Sequence, residues 1–280
     1  MIAVVYSGSK TAVWRIADEG KLIAECSMPG INPCFVDQKT LLHQLNKKSI
    51  LINHAEQIKR IYVFAAGATS ADRKAELETS LGLFFKHSKI TVENDLYGAA
   101  KAACFNEKGI VGILGSGANC SYFNGSSLEE NNFGLGFILG DEGSANYLGK
   151  SILRNFLQEK LPLDLYKKFS KKYDLNRTEI LEKVYKKTLA QQFLSSFLEF
   201  FIENRAHDYI QQLIDKAFEV YFDTYLLPTI KLHPETQIHF VGIVAGNFQD
   251  RLRVVAQRHG LEITTITKEP IYNLLNYYSN

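Results

Sequence analysis

The sequence lacks any apolar run near the roughly 20 residues that cross a bilayer, so no membrane partner is expected. Its opening, Met1-Ile2-Ala3-Val4-Val5, is too short for a signal-peptide core and has no basic lead-in; it reads as a first strand. Charge of one sign is also missing. Thirty-two Lys plus Arg against 30 Asp plus Glu leave +2, which argues against a dedicated nucleic-acid binder. The four cysteines, Cys26, Cys34, Cys104 and Cys120, form no Cys-x-x-Cys pair and have no histidine at zinc spacing. They read as buried thiols in a reducing cytosol, so the expected location is cytoplasmic. A Walker nucleotide loop is absent too. Ser7-Gly8-Ser9-Lys10-Thr11 ends like one, but alanine stands at position 3, where that loop needs its first glycine.

What is there suits a globular α/β chain of about two units, given 280 residues and a typical domain of roughly 150. Strands are expected over 2–6, 12–16 and 21–27, separated by Ser7-Gly8-Ser9 and Asp18-Glu19-Gly20. A helix over about 38–55, the apolar strand Ile61–Ala66, a helix over 70–86 and a strand at 89–92 come next. Unbroken apolar strands suit a sheet covered on both faces by helices. The small-residue stretch from Gly98 to Ala103 belongs to a closely packed helix. The pattern then restarts: Gly109–Leu114, the turn Gly115-Ser116-Gly117 and Cys120–Phe123 echo Val4–Ser9 and Val13-Trp14. That weak repeat favours a duplicated domain.

Residues 143–230 carry helical apolar spacing, with Asn176 and Glu179 as a helix start. The lysine groups 167, 168, 171, 172 and 183, 186, 187 read as solvated helix faces. A last α/β segment has a strand at 237–241, a turn over Gly242–Ala245, a helix over 248–260 and a strand at 261–265.

Four glycine-centred turns are expected at strand ends, around Gly8, Gly115–Gly117, Gly140–Gly143 and Gly242–Gly246. Glycine lets consecutive N–H groups converge on an anion. One such turn is ordinarily a hairpin, but several on an α/β scaffold suggest a phosphate-handling site. Asp95 follows a strand and opens a helix, where partial positive charge favours a carboxylate able to take a proton; an ordinary N-terminal helix acid is the plainer alternative. Asp141 and Glu142, clasped by glycines, face the same choice between capping and ligand binding.

Four blocks, Gly30-Ile31-Asn32-Pro33, Val92–Ala99, Ile113–Asn119 and Gly136–Ser144, resemble the N-acetylglucosamine kinase family. That family lies in the BadF/BadG-type ATPase group of the actin-like and sugar-kinase superfamily. The resemblance runs in order from the first strand to Pro270. It implies two ribonuclease-H-like lobes, 1–104 with 270–280 and 105–269 with a helical insertion at about 151–230, and an ATP and sugar cleft between them. It implies phosphorylation of an amino-sugar hydroxyl, with Asp95 as catalytic base. Ser7, Gly8, Ser9, Lys10, Thr11, Gly115, Ser116, Gly117, Gly242 and Ala245 match phosphate or ATP positions. Asn32, Asn119, Gly134, Leu135, Asp141 and Glu142 match sugar-side positions. The implied partners are a small-molecule sugar, ATP and Mg²⁺, with neither nucleic acid nor membrane, and a homodimer is compatible with it.

One position departs from the family pattern. Its first phosphate turn begins with an aspartate of the Mg²⁺ shell, and this chain has Tyr6 there. A phenol is no substitute for a carboxylate on a hard cation, which leaves Glu142 or Asp95 to support the metal through water. A sugar- or nucleotide-binding sensor without catalysis is therefore the alternative reading.

Overall fold

A computed structural model describes residues 1–186 and 189–279, so Lys187 of the lysine groups lies outside the described residues. The chain divides into two compact units: Met1–Val111 with Ser121–Glu129 and Glu269–Asn280, and Gly112–Cys120 with Glu130–Lys268.

The first unit is built on β1 (Ile2–Ser7), β2 (Thr11–Asp18) and β3 (Lys21–Pro29), then α1 (Gln38–Leu45), α2 (Ser49–His54), β4 (Arg60–Ala65), α3 (Ala71–Gly82), β5 (Lys89–Asn94) and α4 (Asp95–Cys104). Its sheet has the order β3-β2-β1-β4-β5, an antiparallel meander continued by parallel strands. Side chains alternate across it as the pleat requires. Ala3, Val5, Trp14, Ile61 and Val63 join Leu41, Leu51 and Leu77 from α1, α2 and α3 on one face. Val4 and Phe64 join Ala102 of α4 on the other, with Ile271, Leu274 and Leu275. Those last three belong to the final helix of the chain. The single expected helix over 38–55 is two helices, because it ends at Asn46, whose side-chain amide donates to the Leu42 carbonyl at 2.8 Å.

Next come β6 (Gly109–Leu114), β7 (Ala118–Phe123), α5 (Gly136–Leu139), α6 (Ala145–Leu157), α7 (Leu163–Tyr173), α8 (Arg177–Tyr185), α9 (Ala190–Ser196), α10 (Leu198–Glu203) and α11 (Asp208–Tyr221). A π-turn, Phe222–Leu226, leads to α12 (Leu227–Leu232), β8 (Ile238–Val241), α13 (Ile243–Asn247), α14 (Gln249–Arg258) and β9 (Thr265–Thr267). The final helix, α15 (Ile271–Ser279), returns to the first unit, where Tyr278 stacks on Tyr62 at 4.1 Å and Tyr272 lies under the Arg15 guanidinium. The second sheet has the order β7-β6-β8-β9.

At α8 the capping box of Asn176 and Glu179 forms as its spacing predicts. Further expectations change. Gly242–Ala245 is not an open turn: Gly242, at φ +125°, starts α13, and the Gly246 N–H closes onto its carbonyl. The last strand begins where it was expected to end, since only Thr265–Thr267 reach the register of His239–Val241. Cys104 and Cys120 are buried, and burial pushes both thiols up to about 12. Cys26 is half-buried and Cys34 exposed, because β3 lies at the sheet edge and Cys34 follows it in a loop. Among the described residues no helix is long and apolar enough to cross a membrane.

The helices of the second unit are tied by an ion network. Asp215 of α11 accepts from Arg251 Nε at 2.8 Å and from Arg258 Nη2 at 2.7 Å, both on α14. Burial works against this carboxylate, but the hydrogen bonds and charges of the two arginines outweigh it and hold its carboxyl below the ordinary range. A depressed folded-state pKa contributes stability that is full above the unfolded value, about 4, and is lost as pH falls through the folded value. Asp215→Asn is thus expected to lower the urea midpoint at pH 7. Its gap from wild type should close on acidification below about pH 4. A gap independent of pH between 7 and 3 counts against this assignment.

Candidate functional site

In the first unit the site is set by register. The parallel strands β1, β4 and β5 end together, with Ser7 opposite Ala65 and Ala65 opposite Asn94. The residues after each strand therefore emerge at one end of the sheet: the turn Gly8–Lys10, the Ala66-Gly67 bend and Asp95. The carboxyl ends of parallel strands are where open α/β sheets bind ligands.

The β1–β2 turn is rigidly backed. Gly8 N–H donates to the Thr11 carbonyl, Gly30 N–H to the Lys10 carbonyl, and Ile31 N–H to the Ser7 hydroxyl at 3.0 Å. A Cβ on Gly30 would fall 2.5 Å from the Gly8 carbonyl oxygen, so only glycine lets this strand lie beneath the turn. Ser7 is buried, Gly8 and Ser9 are half-buried, and Lys10 and Thr11 are exposed. Asn32 is buried next to this backing strand. Its Oδ1 accepts from Cys34 N–H at 2.8 Å, and it lies against Gly67, which has φ +83° and no room for a Cβ.

Asp95 is the first residue of α4, behind the cap Asn94, whose side chain accepts from Tyr97 N–H at 2.7 Å. It is half-buried and lies beside Tyr6: burial, then the Asp95 charge, pushes the Tyr6 phenol well above its ordinary range. Tyr6 packs on the apolar face with Phe64 and Tyr97. A protonated phenol in that setting does not fit a hard-cation ligand, so the end of β1 offers no resident Mg²⁺ site of its own.

In the second unit the turn Gly115–Gly117 joins β6 to β7 and rests on the N-terminus of α6. Ala145 N–H donates to the Gly115 carbonyl and Asn146 N–H to the Ser116 carbonyl. Two helix-terminal donors are thus used inside the fold. With Gly115 N–H bonded to the Gly117 carbonyl, the donors the turn retains for an anion among the described hydrogen bonds are those of Ser116 and Gly117. Gly242 is pressed on the same turn, since its Cβ would sit 2.5 Å from the Leu114 carbonyl. Ala245 is fully buried in α13.

Gly140–Gly143 follows the short helix α5 and not a strand, a correction to its expected place. Asp141 adopts φ +64° and is 4% exposed. One carboxylate oxygen accepts from Ala118 N–H at 3.1 Å and the other from Asn146 Nδ2 at 3.0 Å. A Cβ on Gly117 would strike that carboxylate. Burial pushes the Asp141 carboxyl up against these bonds. Glu142 is half-buried and accepts from the Tyr225 hydroxyl. Asn119 is packed against Gly134, whose Cβ would be 3.0 Å from its Nδ2, and Leu135 is exposed beyond it.

Sequence reasoning missed Asn146, Lys150, Tyr221 and Tyr225. Lys150 donates to the Phe137 carbonyl at 2.7 Å, and burial holds its ammonium below the ordinary range against the charges of Asp141 and Glu142, which act to raise it. The usable signal for the tyrosines was Pro228, a helix breaker inside an otherwise helical run.

A provisionally assigned N-acetylglucosamine kinase of Porphyromonas gingivalis superimposes with a TM-score of 0.93 at 31% identity, covering 100% of this chain and 99% of that one. The chain belongs to the N-acetylglucosamine kinase family. Two more distant structures share the fold of this sugar-kinase family. One is a protein of Chromobacterium violaceum with the same provisional assignment, at TM-score 0.69 and 15% identity, covering 99% of each chain. The other is a ROK family glucokinase from Streptomyces griseus, in complex with glucose and AMPPNP, at TM-score 0.59 and 13% identity, covering 99% and 97%. Neither a protein-family model nor a curated protein matches the chain. The fold is accordingly that of the actin-like ATPases and sugar kinases, as the resemblance implied.

Proposed function

We propose that this sugar-kinase family member transfers the γ-phosphoryl group of ATP to a hydroxyl of an amino sugar, N-acetylglucosamine or a related cell-wall sugar. The observation that supports this most strongly is the likeness to the P. gingivalis protein along the whole of this chain and 99% of that one. In this reading Asp95 takes the proton of the attacking hydroxyl as the new O–P bond forms and the β,γ-bridging P–O bond breaks to leave ADP. The Ser7–Thr11 and Gly115–Gly117 turns receive phosphates, Lys10 adds a charge, and Gly242 and Ala245 lie on the adenosine side. Asn32, Asn119, Gly134, Leu135, Asp141 and Glu142 serve the sugar. Asp141 also holds Ala118 and Asn146, and each of its oxygens, with one bond accepted, keeps a lone pair for a sugar hydroxyl. Positioning and charge neutralisation carry most of the catalysis of phosphoryl transfer. Mg²⁺ enters as MgATP, a co-substrate held by phosphates and water, since β1 offers it no carboxylate.

Tyr6 favours a second reading, a sugar- or nucleotide-binding sensor that does not turn over. One assay separates the two: ADP release across a panel of hexosamines and hexoses, with and without MgATP, beside thermal shifts. The kinase reading expects ADP formation that needs both an amino sugar and MgATP. Sugar at 100 times its Kd should add about 2.7 kcal/mol of stability in either case. A sugar-induced shift with no turnover sinks the kinase reading, and Tyr6→Asp should then gain phosphotransfer.

A further inference from the structure

Helix α11 does not run smoothly into α12. Pro228 has no N–H for the Thr224 carbonyl, and its ring crowds that carbonyl. The ladder slips by one residue into the π-turn Phe222–Leu226, where Leu227 N–H bonds the Phe222 carbonyl. An extra residue in a helix rotates the downstream residues by about 100°, and π-turns of this kind often mark functional positions.

The π-turn carries Tyr225, and the residue just before it is Tyr221. Both phenols are buried, and they reach Asn119 of β7 and Glu142 of the Gly140–Gly143 loop, two residues of the proposed sugar side. Tyr221 donates to the Asn119 carbonyl at 2.8 Å. Tyr225 donates to the Glu142 carboxylate, and its ring takes the edge of Phe133 at 5.0 Å. The Gly140 backbone is fitted against the Tyr225 hydroxyl, from which a Cβ would stand 3.3 Å. The hydroxyl of Thr229, one residue beyond Pro228, donates to the Tyr225 carbonyl at 2.8 Å and closes the turn. Asp141 is buried whereas Glu142 is half-buried, so Glu142 is the more open carboxylate of the Gly140–Gly143 loop. One of its oxygens is pinned by Tyr225.

We propose that the π-turn makes Tyr225 a positioning residue, which aims the Glu142 carboxylate at the hydroxyl groups of the acceptor sugar. The inference rests on the kinase reading above and deepens it. A neutral phenol suits this role, because it orients one carboxylate oxygen by donation and leaves the other free to accept from a sugar hydroxyl. Burial, then the bond to Glu142, pushes that phenol above its ordinary range, so it stays a donor across the working pH.

The test begins with wild-type affinity for amino sugars by calorimetry and with steady-state kinetics. Tyr225→Phe removes one oxygen atom and keeps the ring against Phe133. Loss of a hydrogen bond to a charged group is expected to raise KM for the sugar about tenfold or more, with KM for MgATP within twofold of wild type. Glu142→Gln should do the same, and the double variant should be no worse than the poorer single one. Pro228→Ala gives the readout that a merely structural role would not produce. It restores an α-helical ladder, so Tm should rise or hold while KM for the sugar rises with it. No amino-sugar binding by wild type overturns both the kinase reading and this inference. Binding by wild type with unchanged sugar KM in Tyr225→Phe and Pro228→Ala overturns the inference alone.

Discussion

Asp95→Asn is expected to lower kcat for sugar phosphorylation by about 10²–10⁴-fold, the range that general-base groups contribute. The substitution keeps size and shape, so sugar KM should stay within about threefold, as for an interaction used mainly in the transition state. It also removes a negative charge from the first turn of α4, which costs about 0.3–1 kcal/mol of helix stabilisation. The fold should tolerate that, because Asn94 still caps the helix through Tyr97 N–H. Circular dichroism and a thermal scan on the same preparation separate lost chemistry from lost structure. Turnover within tenfold of wild type removes Asp95 from the role of base. Tyr6 makes the result more informative. Its phenol lies beside Asp95 and stays protonated, so it does not supply a substitute base when the carboxylate is gone.

The largest stability effect is expected at Gly149. It lies inside α6 where α9 crosses, and a Cβ there would sit 2.0 Å from the Leu194 carbonyl oxygen and 2.7 Å from its carbon. Both obstacles are backbone, so no side chain can swing away; the helices must separate. Overpacking of this kind costs about 1–3 kcal/mol and occasionally more, against about 1 kcal/mol returned by alanine's helix propensity. With two backbone atoms inside contact distance the upper end applies, and Gly149→Ala should lose about 2 kcal/mol or more net. For a unit of this size that is a Tm fall of about 4–8 °C. Gly82→Ala is the control: it ends α3 with nothing within 4 Å of its Cβ, and it should leave Tm unchanged or raised. Equal behaviour of the two variants would show that α6 and α9 do not meet at Gly149.

Much of this molecule is dictated by the order of residues. Apolar strand runs ending in turn formers set β1, β2, β4 and β6 close to their expected limits. The Asn94-Asp95 pair marks a helix start by local hydrogen bonding alone. Asn176 and Glu179 do the same. These features depend on neighbours within a few residues, which is why they are legible. The family resemblance rested on the same kind of local blocks, and it held along the full chain.

The features that the sequence left open depend on partners far along the chain. The partners of Asp141 within the fold, Ala118 and Asn146, reach it only after β7 and α6 are placed. The limits of β9 were decided by the short register of β8, and Gly242 became a helix start because the Leu114 backbone lies against it. The absence of a membrane-length apolar run and of an excess charge narrowed the possibilities from composition alone. Tyr6 was visible as a departure, but its burial beside Asp95 required the sheet. Local chemistry sets which groups are available, while burial and long-range contact decide which of them remain free to act. Those two quantities exist only once the chain has packed.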